Sequence, residues 1–288
     1  MTAVAPPETD AKVVDDLPIE DYHADTSSIS STGLRALLDP GCPAQFKYDR
    51  DNPRPPKREF DLGNAVHAAV LGEGHEIVEI KHPDYKTVAA RADRDTAYDA
   101  GKVPLLPKER DQVDAMAEAI RRHEQAGPLF APGTGIAERT LYWTDPDTGV
   151  RCRVRPDWLK PLPGLLLAVD LKTTKDASPA AVSRAIRDYS YHQQDALYTD
   201  GIRIVLKPET VRFLFVFVSK TPPHLITVRE LHEPDRAIGR ARNSRALRIY
   251  ADCLATDTWP DWTGPVTEIP EIGMPPWDTT RQAEEYIR

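Results

Sequence analysis

The stretch Leu165-Leu-Leu-Ala-Val-Asp170-Leu-Lys172-Thr-Thr174 decides the fold of this chain. An apolar run preceded by Pro161, Pro163 and Gly164 and followed by two threonines reads as a strand buried on both faces of a sheet. Period-two alternation puts Asp170 and Lys172 on one face at the end of that strand. A lone charge is expensive to bury, which leaves two readings. Either the two residues only neutralise each other, or Asp170 holds a metal ion while Lys172 faces a substrate anion or a nucleophilic water.

Upstream, Ile136 to Thr144 alternates, Asp145-Pro-Asp-Thr-Gly149 supplies a turn, and Val150 to Trp158 alternates again, which predicts a hairpin. It ends in Pro156-Asp157-Trp158 and leads by a short turn into the buried strand, so Asp157 and Asp170 fall on neighbouring strands of one sheet. Arg151, Arg153 and Arg155 share a face, for which solvent exposure is sufficient reason. Downstream, Ser178-Pro179 starts a helical region in which Gln194 and Tyr198, four apart, share a face. Val211 to Ser219 reads as an apolar strand with Leu225 to Leu231 as its partner. Pro234 to Leu254 is a long helix whose Arg236, Arg240 and Arg248, with Arg245 near them, form a solvated face or meet a DNA backbone or a second subunit.

Towards the N-terminus, residues 1–20 are polar, proline-containing and without periodicity, the pattern of a mobile arm. Ile29 to Leu38 reads as a short helix stopped by Asp39-Pro40-Gly41. Its hydroxyls either cap the helix or, with Arg35, bind a phosphate through Ser30 and Ser31. A second short helix runs from Pro43 to Tyr48, and a proline-rich loop covers Pro53 to Pro56. Phe60 to Gly72 is a helix of small residues that carries one histidine, His67. Glu76 to Ile80 alternates like a strand, residues 82–104 read as an exposed excursion, and Pro107 to Ala126 is amphipathic, with Val113, Met116, Ala117 and Ile120 inward. After Thr256 a tail with Trp259, Trp262 and Trp277 lacks periodicity, and its tryptophans suit packing on the body or on another subunit. The organisation expected is an arm over 1–20, one domain over 21–255 and a tail over 256–288.

The 288 residues suffice for one elaborated domain. Cys42, Cys152 and Cys253 are far apart and odd in number, which argues against a disulfide framework or a four-cysteine metal or iron-sulfur site. No run approaches a membrane span and no secretory signal is seen, so a cytoplasmic location is expected. A net charge of −8 argues against general coating of polyanions. It is compatible with a nuclease, because carboxylates that bind divalent cations make a site negative while DNA needs only a local basic surface.

Pro156-Asp157 followed by Asp170-Leu171-Lys172, with His67 upstream and Gln194-x-x-x-Tyr198 downstream, resembles the PD-(D/E)xK nuclease superfamily in its RecB-like branch. Ser-Ser-Thr-Gly-Leu-Arg over 30–35, Cys-Pro-Ala-Gln-Phe-Lys-Tyr over 42–48 and Leu-Gly-Asn-Ala-Val-His over 62–67 look like the RecE-type (exodeoxyribonuclease VIII-like) phage exonucleases. The resemblance spans about residues 22–250. It implies an α/β, restriction-endonuclease-like core, a central mixed β-sheet flanked by helices. It further implies a Mg²⁺ site, with Mn²⁺ as a possible substitute, held by His67, Asp157, Asp170 and the Leu171 carbonyl. Lys172 would orient or deprotonate water, and Gln194 and Tyr198 would orient catalytic groups or touch the DNA backbone. Ser30, Ser31 and Arg35 would receive a 5′ phosphate, and Glu138 is a candidate further carboxylate.

The activity implied is degradation of linear double-stranded DNA from its ends, 5′ to 3′, by a ring-shaped homo-oligomer working with a single-strand annealing recombinase in phage-type recombination. If the chain is phage-encoded, that places it in the bacterial host cytoplasm. The competing readings are a structure-specific endonuclease with the same metal site and a catalytically silent DNA-binding module. The absence of four cysteines sets the chain apart from iron-sulfur relatives, and the absence of a phosphate-binding G-x-x-x-x-G-K-[ST] motif excludes a helicase.

Overall fold

A computed structural model describes residues 10–53, 58–263, 269 and 271–287. The N-terminal part contains β1 (Lys12–Val14), α1 (Ile19–Ala24), α2 (Ser31–Ala36), α3 (Pro43–Asp51) and α4 (Asp61–Leu71). Next come β2 (Ile77–Glu79), α5 (Val88–Asp99), β3 (Val103–Leu105), α6 (Pro107–Arg122) and α7 (Ala126–Leu129). The strand-rich middle consists of β4 (Ile136–Ala137), β5 (Thr140–Thr144), β6 (Arg151–Val154), β7 (Trp158–Leu162) and β8 (Leu165–Thr174). The chain continues through α8 (Pro179–Asp188), α9 (Tyr191–Leu206), β9 (Val211–Ser219), β10 (Ile226–Arg229), α10 (Glu233–Thr256) and α11 (Pro276–Tyr286).

The expected central mixed sheet is present, in the order β10-β9-β8-β7-β4. Only β8 and β9 are parallel; the other pairs are antiparallel. β8 is central because it is apolar on both faces. Leu167, Val169 and Leu171 enter one core with α4 and α6, and Ala168 enters a second core with α9, α10 and the three-stranded sheet β1-β5-β6. β9 shows the same division, with Phe213, Phe215 and Phe217 on the α9 side and Val216 and Val218 on the α4 side. Each buried phenylalanine side chain contributes roughly 2–3 kcal/mol of transfer free energy, so β9 is the principal anchor of β8. Register places Asp170 beside Phe215 and Lys172 beside Phe217, on the α9 face.

Several elements differ from the sequence reading. The expected hairpin is not continuous, because both of its strands change sheet. β4 pairs with β7 in the five-stranded sheet, whereas β5 pairs with β6 in the three-stranded one. The transfer occurs at Glu138, whose φ of 48° turns the chain, opposite Pro156-Asp157. The Glu138 amide donates to the Asp157 carbonyl there (3.2 Å). Arg153 and Arg155 are buried, not solvated. Arg153 donates to Ser28, and Arg155 donates to Thr140 Oγ1 and the Leu17 carbonyl, while both guanidinium groups lie over the Tyr22 ring. All of these partners except Thr140 come from the N-terminal segment. Part of the expected mobile arm is therefore ordered, with Lys12–Val14 paired to β5 as an added strand; residues 1–9 lie outside the described part.

Residues 82–104 are not an open excursion either. α5 buries Ala90 and Ala97, and β3 pairs in parallel with β2 with all three of its residues buried. The helical region after Ser178 breaks at Ser190, which has φ of 51°. The arginine-rich α10 is partly committed within the chain: Arg236 pairs with Asp195 and Glu233, and Arg240 pairs with Asp200 and Glu233, leaving Arg245 and Arg248 exposed. In the tail, Trp259 stacks on Phe46 and Trp262 donates to the Pro40 carbonyl, whereas Trp277 is exposed on α11. Residues 54–57, within the proline-rich loop, and 264–268, 270 and 288 of the tail lie outside the described part. Among the described residues no helix is long and apolar enough to cross a membrane.

Candidate active site

The C-terminal end of β8 faces two helices, and the side chains meet there from both sides of the sheet. On the α4 side the His67 ring nitrogen Nε2 lies 2.7 Å from the Leu171 carbonyl. A carbonyl only accepts, so Nε2 donates to it, and Nδ1 is the ring nitrogen that faces Asp157. Nδ1 lies 3.7 Å from Asp157 Oδ2. Asp157 is fixed in turn by the Leu171 amide, which donates to Oδ2 at 2.7 Å. The sheet change at Glu138 brings a third donor, and ligand atoms of His67, Glu138 and Asp157 lie within 4.8 Å of one another. Donor atoms around one divalent ion are at most about twice the metal–oxygen distance apart, roughly 4–5 Å, so this group fits an ion.

On the α9 face Lys172 Nζ lies 2.6 Å from Asp170 Oδ2, and Gln194 Nε2 donates to Asp170 Oδ1 at 2.5 Å. Asp170 is only 2% exposed. The lysine approaches off the hydrogen-bonding direction, which leaves Oδ2 buried without a well-directed donor. Such an atom has free acceptor capacity for a cation. Both readings of the opening stretch thus have a geometric counterpart: Asp170 and Lys172 pair, and the pair borders a set of metal-ligating groups.

The electrostatics agree. Burial, then the charge of Asp157, pushes the Glu138 carboxyl up to about 8, against the pull of Arg155. Burial, then Asp170, pushes Asp157 up to about 6, opposed by His67 and Lys172. Burial disfavours charge on Lys172, but Asp170 and Asp157 outweigh it and raise its pKa above the ordinary value, so the ammonium is charged at neutral pH. Acids forced together in a partly dry pocket are what a divalent cation relieves. In this state Lys172 acts as a cation facing an anion; it has no free lone pair with which to take a proton.

Glu138, which the sequence offered only as a candidate further carboxylate, lies with His67 and Asp157 in the group within one ion's reach, and Asp170 meets Lys172 and Gln194 on the other face. The Leu171 carbonyl is beside the group but accepts from His67, which leaves it one lone pair. Tyr198 does not bond to the acids; its ring packs edge-on against Phe213, with burial holding its phenol well above the usual range. Ser30 caps α2 weakly, accepting from the Gly33 amide at 3.4 Å, and Ser31 is buried. Burial holds the Arg35 guanidinium below its usual range, opposed in part by the charge of Asp170, and it donates to the Tyr189 carbonyl and Thr32 Oγ1. Sequence reasoning missed Tyr191, whose ring lies 5.1 Å from Lys172 Nζ. The contact joins α9 to β8, residues far apart in the chain, and no local spacing signals it.

Residues 30–269 match a family described as "PDDEXK-like domain of unknown function (DUF3799)". A crystal structure titled a "Putative exonuclease" from Eubacterium rectale is similar over 93% of this chain and 99% of that one, with 12% sequence identity and a TM-score of 0.59. At that identity the likeness is one of fold. No curated protein matches the sequence. With the matched segment covering the central sheet, both flanking layers and every residue of the acidic group, the chain belongs to this family of PDDEXK-like domains.

Proposed function

We propose that this protein is a divalent-metal-dependent deoxyribonuclease that degrades linear double-stranded DNA from its ends. The observation that carries the reading is the convergence of His67, Glu138 and Asp157 within one ion's reach, beside the buried Asp170–Lys172 pair. A divalent ion, Mg²⁺ or Mn²⁺, would supply Lewis-acid charge for a phosphodiester and lower the pKa of a bound water. The chain's own groups do the rest. His67 is held by Leu171 with Nδ1 towards Asp157, Glu138 and Asp157 offer carboxylate oxygens, and Asp170 keeps Lys172 charged and aimed at the sheet edge. Gln194 fixes the Asp170 carboxylate. The Lys172 ammonium is then placed to stabilise charge developing on the phosphate oxygens.

The preference for ends, the 5′ to 3′ polarity, the ring-shaped homo-oligomer and the annealing-recombinase partner rest on the RecE-type motifs over residues 30–67. The same motifs support a role in phage-type recombination in the host cytoplasm. Of the proposed 5′-phosphate trio, Arg35 is near enough to Asp170 to interact with its charge, which supports its place in the reading. The test compares linear duplexes labelled at the 5′ or 3′ end with a closed circle, using wild type and Lys172→Ala. Loss of label from linear ends, dependent on Mg²⁺ or Mn²⁺ and absent in the variant, is expected. Cutting of the circle would indicate an endonuclease, and an inert wild type would indicate a binding module.

A further inference from the structure

We infer that Tyr189 is a stacking platform for a nucleobase of the strand being cut, next to the scissile phosphate; the inference deepens, and rests on, the nuclease reading above. Phe213, Phe215 and Phe217 line one face of β9, and the Tyr191 ring packs on two of them, at 5.5 Å from Phe215 and 6.0 Å from Phe217. Tyr189 stacks on Tyr191 in turn, with ring centroids 5.6 Å apart and planes at 27°. Lys172 Nζ lies 5.1 Å from the Tyr191 ring. An aromatic column therefore runs from the core past the catalytic ammonium and ends at the surface in Tyr189, which is 62% exposed. Beyond Tyr191, Tyr189 has no aromatic neighbour among the described residues.

An exposed tyrosine is ordinarily a free rotor, but this one has a fixed backbone. Tyr189 caps α8 through a bond from its amide to the Ala185 carbonyl, and Arg35 donates to its own carbonyl at 2.5 Å. The left-handed Ser190 reverses the chain so that residues 189 and 191 face each other. A preorganised ring loses little entropy when a base adds to the column. Bases of any sequence stack on aromatic faces.

Charge also selects this side of the site. Beyond Glu138 opens a cleft of about 650 Å³ in whose lining Asp16, Glu20, Glu73 and Glu76 outnumber Arg155 and His75, a balance that disfavours phosphate. Beside the aromatic column stand Arg35, bonded to the Tyr189 carbonyl, and Lys172, paired with Asp170, while Lys175 and Lys220 follow the ends of β8 and β9 with no carboxylate partner for either among the described residues. A phosphodiester chain approaches from the Tyr189 side.

The test places 2-aminopurine at successive positions near the 5′ end of a linear duplex and reads its fluorescence on binding in Ca²⁺. Quenching at one position by wild type and Tyr189→Phe, but not by Tyr189→Ala, is expected. Tyr189→Ala should bind about ten-fold more weakly, and an abasic residue at that position should cost wild type the same factor while costing Tyr189→Ala nothing. Quenching retained in Tyr189→Ala, quenching at no position, or two losses that simply add would overturn the inference. Thermal melts guard against misfolding. Hydrolysis in Mg²⁺ by the same wild type separates the two readings: activity without position-specific quenching sinks the platform alone, and quenching without activity sinks the nuclease reading alone.

Discussion

Replacing Glu138 by glutamine should make the metal-free protein more stable. The carboxyl is buried beside Asp157, and its pKa stands at about 8 against an ordinary 4.5. An acid raised in this way costs the fold nothing below its unfolded pKa; the cost grows as pH rises between the two values and is constant above the higher one. The full shift corresponds to on the order of 4–5 kcal/mol at 1.36 kcal/mol per unit. Part of the side chain remains in water, 22% of it, and Asp157 titrates together with it, so the realised value is smaller. We expect about 1–2 kcal/mol once solvent screening is allowed for. In a chain of this size that is a rise of roughly 2–3 °C in melting temperature.

The assay is thermal unfolding of wild type and Glu138→Gln in a chelator. The gain should be present near pH 8 and gone near pH 4, where the wild-type carboxyl is protonated in both the folded and the unfolded state. Adding Mn²⁺ should reverse the order, since a ligand at about a hundred times its Kd stabilises the wild type by about 2.7 kcal/mol. An unchanged or lower melting temperature for the variant in chelator would refute the electrostatic argument. Equal stabilisation of both proteins by Mn²⁺ would remove Glu138 from the ligand set.

Other substitutions separate chemistry from scaffold. Lys172→Ala should reduce hydrolysis by on the order of 10²–10³. It should also lower stability by about 3 kcal/mol, because Asp170 keeps only Gln194 as a partner. The double variant Asp170→Asn/Lys172→Met should recover much of that stability in urea melts and none of the activity. Arg236→Met should cost about 3–5 kcal/mol by stranding the fully buried Asp195, shown by a lower urea midpoint, while DNA affinity of the folded protein stays unchanged. Gly239→Ala should cost about 1–3 kcal/mol, because its new methyl would lie 2.0 Å from the His192 carbonyl oxygen and push α10 off α9.

The elements legible in the sequence are those whose pattern has one cause. β8 and β9 are buried on both faces, and α6 has one apolar stripe, so length and hydrophobicity suffice to define them. Glu138 was legible only as a nearby acid, because period-two alternation is a local property and persists through a strand that leaves one sheet for another. Which ladder a residue joins depends on partners far along the chain. Arg153 and Arg155 were misplaced for a similar reason, since their partners Tyr22, Ser28 and Leu17 come from a segment more than a hundred residues away. The His67–Leu171 hydrogen bond, 104 residues apart, has no local pattern behind it, and the family motif offered the two residues only as ligands of one ion.

The precision of the site also depends on a feature that resembles an error in binary patterning. Gln193, Gln194 and Asp195 are three consecutive polar residues on α9, and all three are buried. Successive helical positions point in different directions, and each of these meets its own partner. Gln193 bonds Asn243 and Arg242 on α10, Gln194 bonds Asp170 on β8, and Asp195 bonds Arg236 on α10. An apolar trio would let α9 rotate or slide at little cost, whereas a satisfied polar set has one rotation in which every group is paired. The two flanking residues thereby fix the angle from which Gln194 reaches the catalytic strand. The close approach of α10 at Gly239 fixes the distance between the helices. On this account the long arginine-rich helix serves the site at a distance, by holding the helix whose Gln194 holds Asp170.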